Sequence, residues 1–290
     1  MRSLPVILVA AIGACASDAP RPPAAVRDSA PPSAAAPPAG RSRLASCAPA
    51  PDGAWTLPAE LAEVSGLAWD GDALLSHGDE VGRVYRVAPA AGAGLAATLR
   101  GEPRDDFEGI ALAGDRLVLS TSAGRLYVAA WTGAGGVLEH RVIETGLGRE
   151  CELEGLAWEA GSGTLLLPCK RPKGKRRPAG LVIRRWRLDP GAALPDVTIP
   201  AAAVAAAGIG GFRPSAIEVD PVTGDWLLLS ANRPALLEVT PDGAVVRGTT
   251  LGRHHRQPEG LALTPSGDLL VADEAADAAP QLTRYRCPLP

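Results

Sequence analysis

The chain has 290 residues, of which 46% are hydrophobic, enough to bury the core of one large domain or two small ones. Its net charge of -3 excludes a general nucleic-acid binder, whose surface would carry a basic excess, so no nucleic-acid partner is expected. Only 4% of the residues are aromatic, so the core has to be built mainly from Leu, Val and Ala.

The amino terminus has the pattern of an export signal. Arg2 precedes an apolar stretch, residues 4–14, that is too short to span a membrane but has the length of a signal-peptide core. The stretch ends in IGAC, which resembles a bacterial lipobox, so we predict a lipoprotein signal peptide over residues 1–14 and lipidation of Cys15. Pro5, early in the apolar stretch, departs from this pattern, and the alternative is that ACA, which ends at Ala16, serves an ordinary signal peptidase.

Residues 15–50 are rich in Ala, Pro and Ser, a composition that cannot bury enough apolar surface to fold. We predict a tether, because Pro-rich segments are extended. The tether would hold the following domain, residues 51–290, away from a membrane. The expected location is therefore the bacterial cell envelope, on the periplasmic or outer-membrane side, with the lipid anchor as the membrane contact and the domain as a monomer.

The chain after residue 50 contains five similar segments. They are EVSGLAWDGDALLSHGDE from Glu63, DFEGIALAGDRLVLSTS from Asp106, ELEGLAWEAGSGTLLLPCK from Glu152, RPSAIEVDPVTGDWLLLSANR from Arg213 and QPEGLALTPSGDLLVADE from Gln257. When Gly66, Gly109, Gly155, Ala216 and Gly260 are aligned, the separations are 43, 46, 61 and 44 residues. This period is typical of a four-stranded propeller blade.

Apolar runs bounded by Gly, Pro and Asp divide each segment into strands. An inner strand such as GLAW leads to a second such as LLLP, and a third and a fourth follow before the next segment. The last segment lacks a fourth strand, whereas AWTLP from Ala54 is an unassigned strand at the other end. We therefore predict an all-β, five-bladed propeller whose last blade is closed by the amino-terminal strand.

Four cysteines remain after processing at Cys15 and allow three disulfide connectivities. Cys151 and Cys169 lie nine residues on either side of a turn near Ala160, so they should face each other in one hairpin. Cys47 precedes the closing strand and Cys287 ends the last blade, so these two should also meet. Free buried thiols are the alternative, and zinc is disfavoured because no CxxC spacing or histidine pair accompanies the cysteines.

The ordered motifs EVSGLAW, DFEGIAL, ELEGLAW and QPEGLAL, with SHGDE and VADE ending second strands, resemble the SdiA-regulated (YjiK-like) family of bacterial five-bladed propellers. The resemblance covers residues 52–288. It implies an exported or membrane-associated protein with a bound metal, expected to be calcium. Blade four departs from the pattern, because PSAIEV places Ala216 where the other segments have glycine.

The position before each aligned residue defines a predicted ring around the propeller axis, occupied by Ser65, Glu108, Glu154, Ser215 and Glu259. Three glutamates held close together would raise one another's pKa values unless a cation lay between them. Hard oxygen ligands favour Ca²⁺ or Mg²⁺, so one hypothesis is a calcium-type site on these five residues. The alternative is architectural, with each glutamate accepting backbone N–H groups or pairing with a basic side chain.

A second set of polar residues follows the second strands and is predicted to lie near one channel mouth: Asp79, Glu80, Lys170, Asn232, Asp273 and Glu274. These groups would suit a polar ligand, and turn chemistry is the alternative, since Asp and Asn often bond their own backbone. The basic run KRPKGKRRP from Lys170 is expected to be a solvated loop, with an anionic lipid or polymer as the other possibility.

Two function classes fit this sequence. The first is a non-catalytic, membrane-tethered module that binds a small ligand or an envelope partner, with the metal as a structural pin. The second is a metal-dependent hydrolase, such as an esterase, lactonase or phytase-like enzyme, acting at the channel mouth. The sequence contains no GxSxG, HExxH or Walker motif and no nucleophile with an orienting base, which favours the first class.

Overall fold

The computed structural model describes residues 42–71, 73–89, 92–174 and 178–288. All of them belong to one unit of the chain, Ala36–Pro290. The predicted signal peptide, the lipidation site at Cys15 and the tether as far as residue 41 lie outside the described residues. No helix in the part described is long and apolar enough to cross a membrane.

The described residues are almost entirely β-strands and turns. Two short helices, α1 (Arg43–Ser46) and α2 (Ala201–Ala206), and two 3₁₀ turns, Ala59–Leu61 and Leu147–Arg149, complete the secondary structure. The strands are β1 (Gly53–Thr56), β2 (Val64–Trp69), β3 (Leu74–Gly78), β4 (Arg83–Ala88), β5 (Gly92–Leu99), β6 (Phe107–Leu112), β7 (Arg116–Thr121), β8 (Arg125–Ala130), β9 (Gly136–Leu138), β10 (His140–Glu144), β11 (Cys151–Leu153), β12 (Ala157–Glu159), β13 (Thr164–Pro172), β14 (Gly180–Arg187), β15 (Ala192–Pro200), β16 (Pro214–Val219), β17 (Trp226–Ser230), β18 (Ala235–Val239), β19 (Val245–Thr250), β20 (Pro258–Leu263), β21 (Leu269–Asp273) and β22 (Gln281–Tyr285).

These strands form five antiparallel blades, which confirms the predicted five-bladed propeller. Blade one is β2-β3-β4-β5, blade two is β6-β7-β8-β10, and blade four is β16-β17-β18-β19. In blade three β13 pairs with both β11 and β12 on one side and with β14 on the other, and β15 forms the outer edge. Blade five is β20-β21-β22-β1, so the amino-terminal strand closes the ring as predicted, with Gly53 opposite Arg284.

The apolar second strands explain why the sheets stack face to face. All five residues of β17, WLLLS, are buried, because neighbouring blades cover both faces of each sheet. The buried apolar side chains accordingly fall into five clusters, one between each pair of adjacent blades. Leucine and valine dominate them, as the low aromatic content predicts.

The innermost strands approach one another most closely at the aligned glycines. A Cβ atom built on Gly109 would lie 2.6 Å from the carbonyl carbon of Gly155, and one built on Gly155 would lie 2.8 Å from the Cα of Ala216. Gly155 also has a φ of +80°, which L side chains rarely adopt. We call Gly66, Gly109, Gly155, Ala216 and Gly260 the glycine layer. The close contacts, with backbone at Gly109 and Gly155 and with side chains at Gly66 and Gly260, give the sequence repeat a steric cause.

Both predicted disulfides are present. Cys47–Cys287 joins the two ends of the described chain across 240 residues, and Cys151–Cys169 spans 18 residues in blade three. The hairpin register differs from the expected one, because Cys151 pairs with Pro172 and Cys169 pairs with Leu153. The register shift between Glu152 and Leu153 moves the cysteines to diagonal positions that a disulfide can still bridge.

A parallel strand that the sequence analysis missed extends blade one. Strand β9 pairs with β5 in parallel, with Ala97 opposite Gly136, although it lies in the connection between the third and fourth strands of blade two. Its three residues are too few to show a periodic pattern. This strand covers part of the outer edge of β5.

The segment Ser42–Cys47, which the sequence analysis assigned to the tether, packs against blades four and five. The guanidinium of Arg43 is fully buried and makes two bonds to Asp220, Nε to Oδ2 at 2.7 Å and Nη2 to Oδ1 at 2.9 Å. Glu238, also fully buried, accepts hydrogen bonds from the backbone N–H groups of Arg43 and Leu44 and from the Ser42 hydroxyl. This charged segment is thus buried because Asp220 pairs with its guanidinium group and Glu238 accepts its backbone N–H groups.

We predict that Gly109→Ala destabilises the propeller by about 1–3 kcal/mol, because the new methyl group has no space against the backbone at Gly155. The measurement is urea unfolding followed by circular dichroism. Gly94→Ala is the matched control, since nothing lies within 4 Å of a Cβ at that strand glycine, and its effect should stay within about 0.5 kcal/mol. Equal effects of the two substitutions would show that the glycine layer is not sterically restricted.

We also predict that Arg43→Ala lowers the free energy of unfolding by about 3–5 kcal/mol, because it leaves the Asp220 carboxylate buried without its cation. Arg286→Ala removes an exposed partner of Asp52 and should cost less than about 1 kcal/mol. Both variants keep Cys47 and Cys287, so unfolding under non-reducing conditions isolates the ion pair. A loss below about 1 kcal/mol for Arg43→Ala would contradict a structural role for the docked segment.

Candidate functional site

The five predicted ring residues lie where the innermost strands lose regular pairing. A β-bulge occurs at Ser65, Glu108, Ser215 and Glu259, because the register shifts between the residues on either side of each. Glu154 lies in the gap between β11 and β12. A bulge leaves one extra residue out of the ladder and turns its side chain in a new direction. The aligned motif therefore encodes an irregular position followed by a close backbone contact.

Direct contacts connect these side chains around the axis. The Ser65 hydroxyl donates to Glu108 Oε2 at 3.1 Å, and the carboxyl groups of Glu108 and Glu154 are hydrogen-bonded to each other. Lys170 Nζ donates to Glu154 Oε1 at 2.7 Å. The structure therefore brings Lys170, predicted at the channel mouth, into the ring itself.

The far side of the ring is completed by blades four and five. The Ser215 hydroxyl donates to the carbonyl oxygen of Pro258 at 2.8 Å and is also hydrogen-bonded to the Glu259 carboxyl group. The charge of Lys170 acts on Glu259 and Glu108 as well as on Glu154. All five predicted ring positions thus contribute to one polar cluster.

Burial determines the protonation of the ring. Burial and, to a smaller extent, the neighbouring charges of Glu154 and Asp106 raise the pKa of Glu108 to about 10, against the lowering effect of Lys170. Burial also raises the pKa of Glu154, while Lys170 and the hydrogen bond from Glu108 lower it. Glu108 therefore keeps the proton of the pair and donates it to an ionised Glu154 that faces Lys170.

Three further carboxyl groups, Glu63, Asp79 and Glu274, lie close enough to one another and to the ring to interact electrostatically. Burial raises the pKa of Glu259 to about 8 and that of Glu274 to about 7. Asp79, whose pKa rises to about 6 through burial and the charge of Glu63, shares a hydrogen bond with Glu63. We call the six groups Glu63, Asp79, Glu108, Glu154, Glu259 and Glu274 the acidic mouth.

Three residues predicted at the channel mouth have other partners. Glu80 is exposed and faces Arg104 at 3.5 Å. Asn232 accepts from the Ser230 hydroxyl at 2.8 Å and donates to the carbonyl of Gly211, which is the turn chemistry considered as the alternative. Both side chains thus have local partners, the charge of Glu80 also acts on Asp79, and a ligand contact of either residue at the channel mouth stays a prediction.

The third residue, Asp273, turns into the blade. Its carboxylate bonds His255 Nδ1 at 2.6 Å and accepts from the backbone N–H of Arg256 at 2.9 Å. His255 Nε2 in turn lies 2.7 Å from the Tyr285 hydroxyl, and His254 Nε2 lies 3.0 Å from the same oxygen. Asp273 thus anchors a buried hydrogen-bond network between the loop ahead of β20 and the strands of blade five.

Glu63 belongs to the acidic mouth but is not among the site residues predicted from the sequence. An available signal was the position two residues before each ring residue, which is acidic in the first three segments: Glu63, Asp106 and Glu152. The charges of Asp106 and Glu152 act on the neighbouring ring glutamates, and that of Glu63 acts on Asp79 and Glu274. The second and third segments therefore carry a pair of acids on alternate residues, and the first carries Glu63 before Ser65.

The described residues contain no group of three or more His, Cys, Asp or Glu side chains arranged to hold a metal ion. In the ring, Glu154 is paired with Lys170, and Glu108 carries a proton that it donates to Glu154. A divalent cation there would have to displace the ammonium group and that proton. The arrangement of these side chains therefore fits an ammonium cation, and calcium stays a prediction.

Comparisons with known proteins add support for the fold. No family model matches the chain, and no curated protein matches it. Among solved structures, Myxococcus xanthus glutaminyl cyclase superposes with a TM-score of 0.58 at 15% identity, over 83% of this chain and 97% of that one. A luciferin-regenerating enzyme (TM-score 0.48, 12% identity, 81% and 95% coverage) and a Bacteroides thetaiotaomicron protein of unknown function (0.47, 12%, 78% and 55%) are more distant. At these identities the cyclase likeness shows the propeller fold alone.

We predict that Glu108→Gln stabilises the protein at alkaline pH. The pKa of Glu108 rises from 4.5 to about 10 on folding, so in this interval the folded protein holds a proton that the unfolded chain has lost. Stability from this group is therefore present at low pH and decreases as the pH rises. A glutamine amide keeps the donor toward Glu154 without a titrating proton, and we expect a gain of about 1–3 kcal/mol at pH 8 and little change at pH 4.

Urea unfolding at pH 4, 6 and 8 checks this prediction. Glu139→Gln is the control, because Glu139 forms an exposed surface ion pair with Arg100, and the substitution should change the pH profile little. A constant difference between Glu108→Gln and the wild type across the pH range would contradict the protonation of Glu108.

Proposed function

We propose that the protein is an exported, lipid-anchored propeller of the SdiA-regulated type that binds a ligand carrying a positively charged amine at its acidic mouth. The two disulfides support export, because disulfides persist in oxidising compartments. The motif series supports the family, and IGAC supports a lipid anchor at Cys15. The partners proposed are thus the membrane, through the anchor, and a small cationic ligand.

The observation that carries the ligand class is the excess of carboxyl groups over cations. The described residues place six carboxyl groups in the acidic mouth, and the positive charge that acts on them there comes from Lys170. Three of these groups, Glu108, Glu259 and Glu274, have pKa values of about 10, 8 and 7. Ionising such buried groups is unfavourable unless a cation compensates, so a ligand ammonium group would be favoured at Glu259 and Glu274.

Binding can be tested with the tripeptide Gln-Ala-Ala and its N-acetylated form, by isothermal titration calorimetry at pH 7. The free-amine peptide should bind and the acetylated peptide should bind at least about tenfold more weakly, because only the first carries an ammonium group. Glu259→Gln should reduce the affinity for the free-amine peptide by about tenfold, and Glu139→Gln should leave it unchanged. Equal affinities for the two peptides would refute an amine site.

Calcium is the other occupant that we propose for the ring, on Glu108, Glu154, Glu259, Ser65 and Ser215. It would need about six to eight oxygen ligands, so water would have to complete its shell. Elemental analysis and calcium titration distinguish the two occupants. Stoichiometric calcium that raises the melting temperature and is lost in Glu154→Gln would replace the amine proposal with a metal site.

An acid–base enzyme is the second candidate function, favoured by the Glu108–Glu154–Lys170 contacts. When an amine attacks a carbonyl carbon, the amine loses a proton and the leaving group takes one up. Glu154 is placed to accept a proton and Glu108 to donate one. The metal-dependent hydrolase predicted from the sequence would use the same residues.

The fold likeness selects a substrate for testing this candidate. Gln-Ala-Ala incubated with the protein would show loss of ammonia by mass spectrometry if the side-chain carboxamide were attacked by the peptide amine. Turnover that Glu108→Gln and Glu154→Gln abolish, but Glu139→Gln does not, would establish an enzyme. Binding without turnover of this peptide, or of simple ester and lactone substrates, would support the binding module.

A further inference from the structure

A second cavity lies on the other side of the glycine layer, where the innermost strands of all five blades end. We call it the lower cavity. Its volume is about 370 Å³, within the range of small-molecule sites. The residues that follow the glycine layer along each innermost strand line it. In the acidic mouth, by contrast, Glu63, Glu108, Glu154 and Glu259 precede this layer, and Asp79 and Glu274 follow the antiparallel second strands at the same end. The two sites therefore occupy opposite ends of the propeller axis.

The walls of the lower cavity are predominantly apolar. Leu67, Ile110 and Leu156 contribute aliphatic surface, and Trp69 and Trp158 contribute indole rings. Apolar walls favour the alkyl or aryl part of a ligand, since each buried CH₂ group contributes about 0.8 kcal/mol. Indole faces also attract cations. The composition thus differs from that of the acidic mouth, where carboxyl groups predominate.

Glu218 is the one ionisable residue in this lining. Its Oε1 accepts the backbone N–H of Val219 at 2.9 Å, and no basic side chain of the described chain pairs with it. Burial raises the pKa of Glu218 to about 8, and the charge of Asp220 adds to this effect. The Asp220 carboxylate is itself bound by Arg43, so the guanidinium group of Arg43 pairs with Asp220 and not with Glu218.

We propose that the lower cavity binds a small molecule with a protonated amine head and an apolar body, the head facing Glu218 and the body lying against the leucine, isoleucine and tryptophan side chains. A lone carboxyl group in an apolar cavity favours a cationic partner, and the walls set the length of the apolar part. This site is separate from the acidic mouth and does not depend on the proposed function.

Hexylamine, hexanol and hexanoate are the probes, because they share an alkyl chain and differ in the charge of the head. Titration calorimetry of the wild-type protein at pH 7 should show binding of hexylamine, at least about tenfold weaker binding of hexanol, and no binding of hexanoate. Butylamine should bind more weakly than hexylamine, because it fills less of the apolar wall. Equal binding of hexylamine and hexanol would overturn the proposal.

Proton release gives a second readout. Below pH 8 the free Glu218 carboxyl is largely protonated, whereas beside an ammonium group it would be ionised. An alkyl ammonium group keeps its proton, with a pKa near that of lysine, about 10. Hexylamine binding at pH 7 should therefore release nearly one proton, measured by calorimetry in buffers of different ionisation enthalpy, and the affinity should rise as the pH increases from 6 to 8.

Glu218→Gln should reduce hexylamine affinity by about tenfold and abolish proton release, while hexanol binding stays unchanged. Glu259→Gln, in the acidic mouth, is the matched control and should alter neither quantity for the lower cavity. Hexylamine binding that Glu259→Gln reduces and Glu218→Gln does not would place the amine in the acidic mouth and refute the lower site. If Glu218→Gln folds poorly, the same comparison of the three probes in Glu259→Gln remains decisive, because this variant weakens amine binding at the acidic mouth.

Discussion

The close approach of the five innermost strands is the constraint on which the rest of the structure depends. At Gly109 and Gly155 the backbones of neighbouring blades are in contact, and a single methyl group on Gly109 would come within 2.6 Å of the next blade. Five sheets can converge around one axis at this distance only if the converging residues lack bulky side chains. The same contact divides each innermost strand into an upper part, which carries the polar ring, and a lower part with apolar side chains.

The bulge immediately before the glycine layer brings the side chains of the polar ring close to one another. The extra residue at each bulge leaves the ladder, so its side chain points to its counterparts in neighbouring blades rather than to the core. Carboxyl groups in these positions are buried and close together, and electrostatics then requires protons or cations. Glu108 keeps a proton and Glu154 pairs with Lys170, and both arrangements reduce the repulsion between the crowded carboxyl groups.

The sequence predicted the blades and the ring because their motifs recur in five segments, and it predicted the closing strand because the last segment lacks a fourth strand. It missed features that depend on a single distant contact. Arg43 lies within a segment of tether-like composition, and its partner Asp220 is 177 residues away. Asp273 is the last residue of a second strand, the position from which the other channel-mouth residues were predicted, but its side chain points into the blade and bonds His255. Glu218 lies at an ordinary strand end, and only the convergence of five strands reveals the cavity beside it.

The docked amino-terminal segment also gives the propeller a mechanical property. A pull applied to the chain ahead of Ser42 reaches the bidentate Arg43–Asp220 pair first and then the covalent link between Cys47 and Cys287. The closing strand β1 begins beyond that link, at Gly53. The disulfide therefore transfers the force to Cys287, near the carboxyl end of the chain, before the force can separate β1 from β22. The closure of the propeller by β1 is therefore protected from tension on the segment ahead of Ser42.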